Sequence, residues 1–160
     1  MEAEVLIMHT VNKLKDKELI DELSIFFHKK WGVPVEAYVE SMNDSLESTT
    51  GVPAWYYIMD NNKIIAGLGV IENDFHKRKD LTPNICAVYV MEEYQGDGIC
   101  RSMFNYVCDD LKNKGINDVY LITTHDQLYE HLGFSYYGDI EEDDGEMVRC
   151  YHNHLIDKGV

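Results

Sequence analysis

The chain has 160 residues, 45% of them hydrophobic and 27% charged, with a net charge of −15. That length suits one domain spanning residues 1–160 and burying about 68–70% of its unfolded surface, while the acidity argues against nucleic acid as a partner, because phosphate binding needs clustered Lys and Arg. No apolar run approaches the roughly 20 residues of a membrane span, the start Met1-Glu2-Ala3-Glu4 is acidic where a signal peptide is basic, and Cys86, Cys100, Cys108 and Cys150 form no Cys-x-x-Cys pair, so a reduced, cytoplasmic, soluble protein is expected.

Glu4 to Val11 reads as a first strand. From Asp16 as N-cap, the residues Leu19, Ile20, Leu23, Phe26, Phe27 and Trp31 repeat at helical spacing, with Gly32 and Pro34 as stop. Pro34 opens a second helix with Val35, Tyr38, Val39 and Met42 on one face; fraying is expected in the polar run Asn43 to Thr50. Trp55 to Met59 and Ile64 to Ile71 flank Asp60-Asn61-Asn62-Lys63, which accept the positive φ of a tight turn and predict a hairpin. The charged stretch Glu72 to Asp80 reads as a loop. It leads through Pro83 into Ile85 to Val90, a nearly continuous apolar run of the kind found in strands buried on both faces.

Gln95-Gly96-Asp97-Gly98-Ile99-Cys100 comes next, followed by a helix that turns Cys100, Met103, Phe104, Val107, Cys108 and Leu111 inward and ends at Lys114-Gly115. Val119 to Thr123 is the next strand. Strand, helix, strand in that order predicts a right-handed crossover between parallel strands, and ligands of such units bind beyond the strands' carboxyl ends. Ser135 to Ile140 and Met147 to Leu155, separated by the acidic turn Glu141 to Gly145, predict a second antiparallel hairpin.

Gly96 and Gly98 allow close approach of a ligand to the backbone, and the helix behind them offers N–H groups and partial positive charge, which together suit a diphosphate. A strand-to-helix turn also uses glycine merely to change direction. There is no Gly-Lys-Ser/Thr for a P-loop, and Arg101 stands where a dinucleotide fingerprint has its third glycine. Downstream lies Tyr129-Glu130-His131-Leu132-Gly133-Phe134.

Together the two segments resemble the Arg/Gln-x-x-Gly-x-Gly/Ala pyrophosphate loop and the Tyr-x-x-Leu-Gly-Phe segment of the GNAT superfamily of acyl-CoA-dependent N-acetyltransferases. Gln95 matches the Arg/Gln position and Gly98 the motif glycine, while Cys100 replaces the usual Gly or Ala. The resemblance runs from about Ile64 to the C-terminus. It implies a single α/β domain with a twisted, mostly antiparallel mixed sheet, one parallel strand pair splayed around acetyl-CoA, and flanking helices. It further implies N-acetyl transfer from acetyl-CoA to a primary amine by direct attack, with no metal. Backbone groups of Val88 and Val90 would pair with the pantetheine arm; N–H groups of Gly96, Asp97, Gly98, Ile99, Cys100 and Arg101 would bind the diphosphate, and the Arg101 charge would add to a phosphate. Tyr129 would protonate the departing thiolate, although it also suits an aromatic core beside Leu128 and Leu132.

Two family positions differ. Ile122 stands where many relatives carry an asparagine, leaving Thr124 or His125 to contact the pantetheine arm. Asn84 stands where some relatives carry a catalytic glutamate, and an amide is no base, so the amine's proton should leave through water or through Glu72, Asp74, His76 or Asp80. Glu72, at a strand end, is the preferred base, although solvated loop roles suit all four. His152 and His154 share a strand face, and His125 and His131 share a neighbourhood, but neither pair has convincing further ligands. The net charge suits a cationic acceptor and equally suits solubility, a homodimer stays open, and the alternative reading is a non-catalytic acyl-CoA-binding or regulatory module.

Overall fold

A computed structural model describes residues 6–11, 17–125 and 127–155. Its strands are β1 (Met8–Thr10), β2 (Ala54–Asp60), β3 (Lys63–Ile71), β4 (Asn84–Val90), β5 (Asp118–Thr123), β6 (Ser135–Glu141) and β7 (Met147–His154), and its helices are α1 (Ile20–Trp31), α2 (Val35–Glu47) and α3 (Ile99–Asn113). The strands form one mixed sheet in the order β1-β2-β3-β4-β5-β7-β6, with β4 and β5 as its parallel pair. The alternation of strands and helices read from the sequence is thus the observed one. Glu4 and Val5 of the expected first strand, the start Met1 to Glu4, and Asp16, the expected N-cap, lie outside the described residues.

Two compact units account for the described residues: one runs up to Gly69 and takes in Ala87–Met103, and the other comprises Val70–Cys86 and the chain from Phe104 onward. In the first, α1 buries Ile20, Leu23, Ser24 and Phe27, spaced at three and four residues as an amphipathic helix requires. A single 3-10 turn, Lys17–Leu19, leads into it, and Gly32 at φ 77° ends it by donating its N–H to His28 O at 2.8 Å. Trp31, expected among the inward residues, is exposed, with Lys30 Nζ 5.4 Å from its ring centre. The helix stops there, so Trp31 has no further turn to pack beneath.

α2 buries Tyr38 and Met42 and extends to Glu47, past the expected fraying at Asn43. Local bonds explain the difference: Asn43 Nδ2 donates to Val39 O at 2.9 Å and Ser45 Oγ to Met42 O at 2.5 Å, so polar side chains satisfy the helix's own carbonyls. Phe27 lies 5.2 Å from Trp55 and 5.6 Å from Tyr38, centre to centre, and Trp55 Nε1 donates to Ser41 Oγ at 2.9 Å. On β3 there is no room for more: a β-carbon at Gly67 would lie 2.7 Å from Phe27 Cζ and 2.8 Å from Tyr56 O, and one at Gly69 2.5 Å from Trp55 Cζ3. Asn61, at φ 57°, makes the turn between β2 and β3 as its residue type predicts.

In the second unit β7 pairs antiparallel with both β5 and β6, from Asp118 opposite His154 to Thr123 opposite Arg149 on one side, with a bulge between Tyr136 and Gly138 on the other. β4 enters parallel to β5 with Asn84 opposite Tyr120. Leu81, Ile140, Val148 and Cys150 form a buried cluster with Tyr120 and Ile122 packed against it. The cysteines are free thiols, as expected, and burial pushes those of Cys108 and Cys150 up to about 11. They remain neutral and behave as small apolar residues. No helix of the described residues is long and apolar enough to cross a membrane.

Candidate active site

β4 delivers the glycine loop. After Val90 the chain makes one 3-10 turn, Glu92–Tyr94, and Gln95 then extends with its side-chain amide donating back to Val90 O at 2.8 Å. Tyr94 OH donates to the Asp60 carboxylate, and Lys63 Nζ lies 3.4 Å from Glu93 Oε2, so this turn is fastened to the β2–β3 hairpin. Met91 N–H donates to Ile65 O on β3 at 2.8 Å. Backbone groups of successive extended residues point to opposite edges, so those of Val90, and of Val88 two residues earlier, face away from β3.

Gly96 and Gly98 hold φ of 89° and 79°, in the left-handed region that disfavours a β-carbon, yet a β-carbon at either would meet nothing within 4 Å. Conformation and not crowding therefore demands glycine there, and the space beside both α-carbons is open. Ser102 N–H donates to Gly98 O at 3.1 Å as the first bond of α3, which leaves the N–H groups before it without intrahelical acceptors. Gln95, Gly96, Asp97, Gly98 and Arg101 are exposed, Cys100 is half-buried with its thiol pushed up by burial, and Ile99 is the buried anchor. The residues present fit a diphosphate: open backbone donors, a helix dipole and an exposed guanidinium.

Tyr129 stands before a 3-10 turn, Glu130–Leu132, that Gly133 closes at φ 92°. Its carbonyl accepts N–H bonds from Leu132 and Phe134, both 3.0 Å, and its buried ring packs against Phe104 at 5.8 Å and Tyr151 at 5.9 Å. Phe134 meets Phe104 edge-on at 5.7 Å. The Tyr-x-x-Leu-Gly-Phe spacing thus has a local physical reason: a turn, its left-handed closure and two rings on one core. Leu128, expected beside Tyr129, is exposed. At the end of β5, His125 N–H donates to Thr123 Oγ1 at 3.0 Å, and Thr124 and His125 are both exposed.

The loop after β3 is more ordered than its charge suggests. His76, read as one of four solvated loop residues, is fully buried and bridges to Glu142. Its Nδ1 accepts Arg78 N–H at 3.2 Å, which puts the ring proton on Nε2, from which it goes to Asn84 Oδ1 at 2.5 Å. Asn84, also fully buried, accepts Asp74 N–H at 3.3 Å and donates to Leu81 O at 2.6 Å. The Asn84 amide is the post to which this loop is tied. Asp74 follows from that: burial, then the neighbouring Glu142 carboxylate, raise its pKa to about 6. Glu72 is exposed, contributing its carbonyl to Thr82 Oγ1 at 2.7 Å, and Asp80 is exposed in a bidentate pair with Arg78 at 2.9 and 2.8 Å. Sequence reasoning missed a third partner for His152 and His154: Asp118, which β5–β7 register brings to their face.

The family model described as "Acetyltransferase (GNAT) family" matches residues 17–134. N-alpha-acetyltransferase 30 of Schizosaccharomyces pombe is 30% identical over 87 residues, 51% of this chain, and the chain spans only 57% of that relative's length. Among solved structures, an aminoglycoside 6'-N-acetyltransferase complexed with coenzyme A superposes with a TM-score of 0.71 at 14% identity, over 98% of this chain and 100% of its own. A spermidine N-acetyltransferase SpeG chimera from Vibrio cholerae and hSSAT gives 0.63 at 16% identity, covering 95% and 96%.

Proposed function

The chain belongs to the GNAT acetyltransferase family, and from that premise we propose that it is an N-acetyltransferase moving the acetyl group of acetyl-CoA to a primary amine of a cationic small molecule. The observation that carries this reading is the loop at Gly96 and Gly98, left-handed and uncrowded at both glycines and leading into the α3 N-terminus. Its N–H groups hold the diphosphate, with Arg101 adding charge, and the outward backbone of Val88 and Val90 aligns the pantetheine arm. Acetyl-CoA supplies an activated thioester.

The remaining chemistry is proton handling. The attacking nitrogen must shed a proton as its bond to the acetyl carbon forms, and the carbon–sulfur bond that breaks leaves a thiolate needing one. A phenol is a suitable proton donor near neutrality, and Tyr129 is the donor to sulfur. For the base, Asp74 replaces Glu72 as the preferred residue: its carboxyl at about 6 suits proton acceptance near neutrality, and Asn84 anchors its backbone. The acidic face of α2, with Glu36, Glu40, Asp44 and Glu47 exposed, favours a cationic amine.

Two measurements test the proposal. Acetyl-CoA at a hundredfold excess over Kd should add about 2.7 kcal/mol of stability, and CoA should be released with at least one member of a panel of aminoglycosides, polyamines, amino acids and peptide N-termini. Stabilisation without release across the panel would favour the acyl-CoA-binding module, and no stabilisation would remove the cosubstrate assignment.

A further inference from the structure

Asp118 at the start of β5 lies opposite His154 of β7, and Tyr120 lies opposite His152. Side chains alternate along a strand, so Asp118, Tyr120, His152 and His154 share one face of the sheet. One oxygen, Asp118 Oδ1, is 2.8 Å from His152 Nε2 and 2.7 Å from His154 Nδ1, and one ligand atom from each of the three residues falls within 4.8 Å of the others. The Tyr120 ring stacks on His152 at 4.7 Å and 21°, fixing the orientation of that imidazole. His154 is exposed, so water can reach the open side.

We propose that Asp118, His152 and His154 form a binding site for a divalent transition ion of the zinc type, with water completing its coordination. The carboxylate is a hard donor that zinc also accepts, but the two imidazoles are borderline donors, and they suit zinc and disfavour magnesium or calcium. Bonds of about 2.0–2.2 Å in a tetrahedral arrangement put ligand atoms roughly 3.3 Å apart. The two Asp118 separations need to open by about half an ångström, and the two imidazole nitrogens, within 4.8 Å of one another, need to settle at that same spacing by side-chain rotation. The ligands sit on two hydrogen-bonded strands, which is the rigid support such geometry needs. The acetyl-transfer reading needs no such ion, so the two stand or fall separately.

Zinc titration of the metal-free protein against a chromophoric chelator measures this directly, with a Kd in the micromolar range expected for wild type. His152→Gln combined with His154→Gln should weaken binding at least 100-fold, and Asp118→Asn at least tenfold. Zinc should raise the Tm of wild type and not of the double variant, and millimolar magnesium should not displace it. Failure of wild type to bind at 100 μM zinc, or unchanged affinity in the double variant with its fold intact by circular dichroism, would overturn the proposal. Should the double variant not fold, Asp118→Asn decides alone: wild-type affinity there overturns it.

Discussion

Asp74→Asn should make the protein more stable and less active. The Asp74 carboxyl stands at about 6 in the fold against an ordinary 3.8, because it is largely buried and faces Glu142. A folded-state pKa raised in this way means that the native protein binds the proton more tightly than the unfolded chain, so ionisation destabilises it. The cost is absent below pH 3.8, grows between pH 3.8 and 6, and is complete above 6. A gap of about two pH units corresponds to roughly 3 kcal/mol at about 1.4 kcal/mol each, and because solvent reaches part of the side chain we discount this to about 1–2 kcal/mol. Urea denaturation at pH 7 should therefore show a midpoint higher by roughly 0.5–1 M, taking about 2 kcal/mol per molar as the slope. Near pH 3.5 the two midpoints should converge, provided both proteins are still folded there. In the same variant kcat should fall roughly 10²–10⁴-fold, and the acid limb of wild-type kcat/KM near pH 6 should disappear. A variant less stable at pH 7, or a stability difference equal at both pH values, would refute the electrostatic reasoning; wild-type turnover would remove Asp74 as base.

Tyr129→Phe keeps the ring against Phe104 and Tyr151 and should lower kcat by about 10²–10⁴ with acetyl-CoA affinity little changed; equal turnover at equal occupancy would leave a packing role. Gly98→Val forces a β-branched residue to φ 79° and should abolish stabilisation by acetyl-CoA in a thermal melt, whereas a wild-type shift would place the diphosphate elsewhere. For the acidic face, Glu36→Gln, Glu40→Gln and Asp44→Asn together should raise KM for the best amine and flatten the fall of kcat/KM with salt, since such fields act within roughly 8 Å at 0.15 M. A preferred acceptor that is neutral or anionic, or an unchanged salt profile, would leave the acidity to solubility. Asn84→Leu would strand His76 Nε2 and Leu81 O in the interior at about 1–3 kcal/mol each; a loss under 1 kcal/mol in urea denaturation would mean the loop does not depend on that post.

What the sequence disclosed was what repeats or turns. The stripe from Ile20 to Phe27, the turn at Asn61, and the strand, glycine loop and helix around Gly98 all rest on neighbours in the chain, and so does the closure at Gly133. What it hid depends on contacts between distant segments. The charged loop from Glu72 to Asp80 gave no sign that His76 is buried, because the acceptor for its Nε2 proton, Asn84, lies in the next strand. Ala87, at φ 56° inside β4, is equally invisible in an apolar run whose composition reads as plain strand. Asp118 joins His152 and His154 only once β5 and β7 are in register, so two histidines in one strand looked unaccompanied.

The two glycines of β3 also constrain the order in which substitutions can be accumulated. At Gly69 the three atoms nearest to a methyl group all belong to the Trp55 ring, so a larger residue there first requires Trp55 to be exchanged for something smaller. The reverse order passes through a collision. Gly67 offers no such route, since after Phe27 has been trimmed the carbonyl of Tyr56 still stands 2.8 Å away, and a backbone cannot be traded for a smaller one. Variation along this strand should therefore run in one direction at position 69 and not at all at position 67.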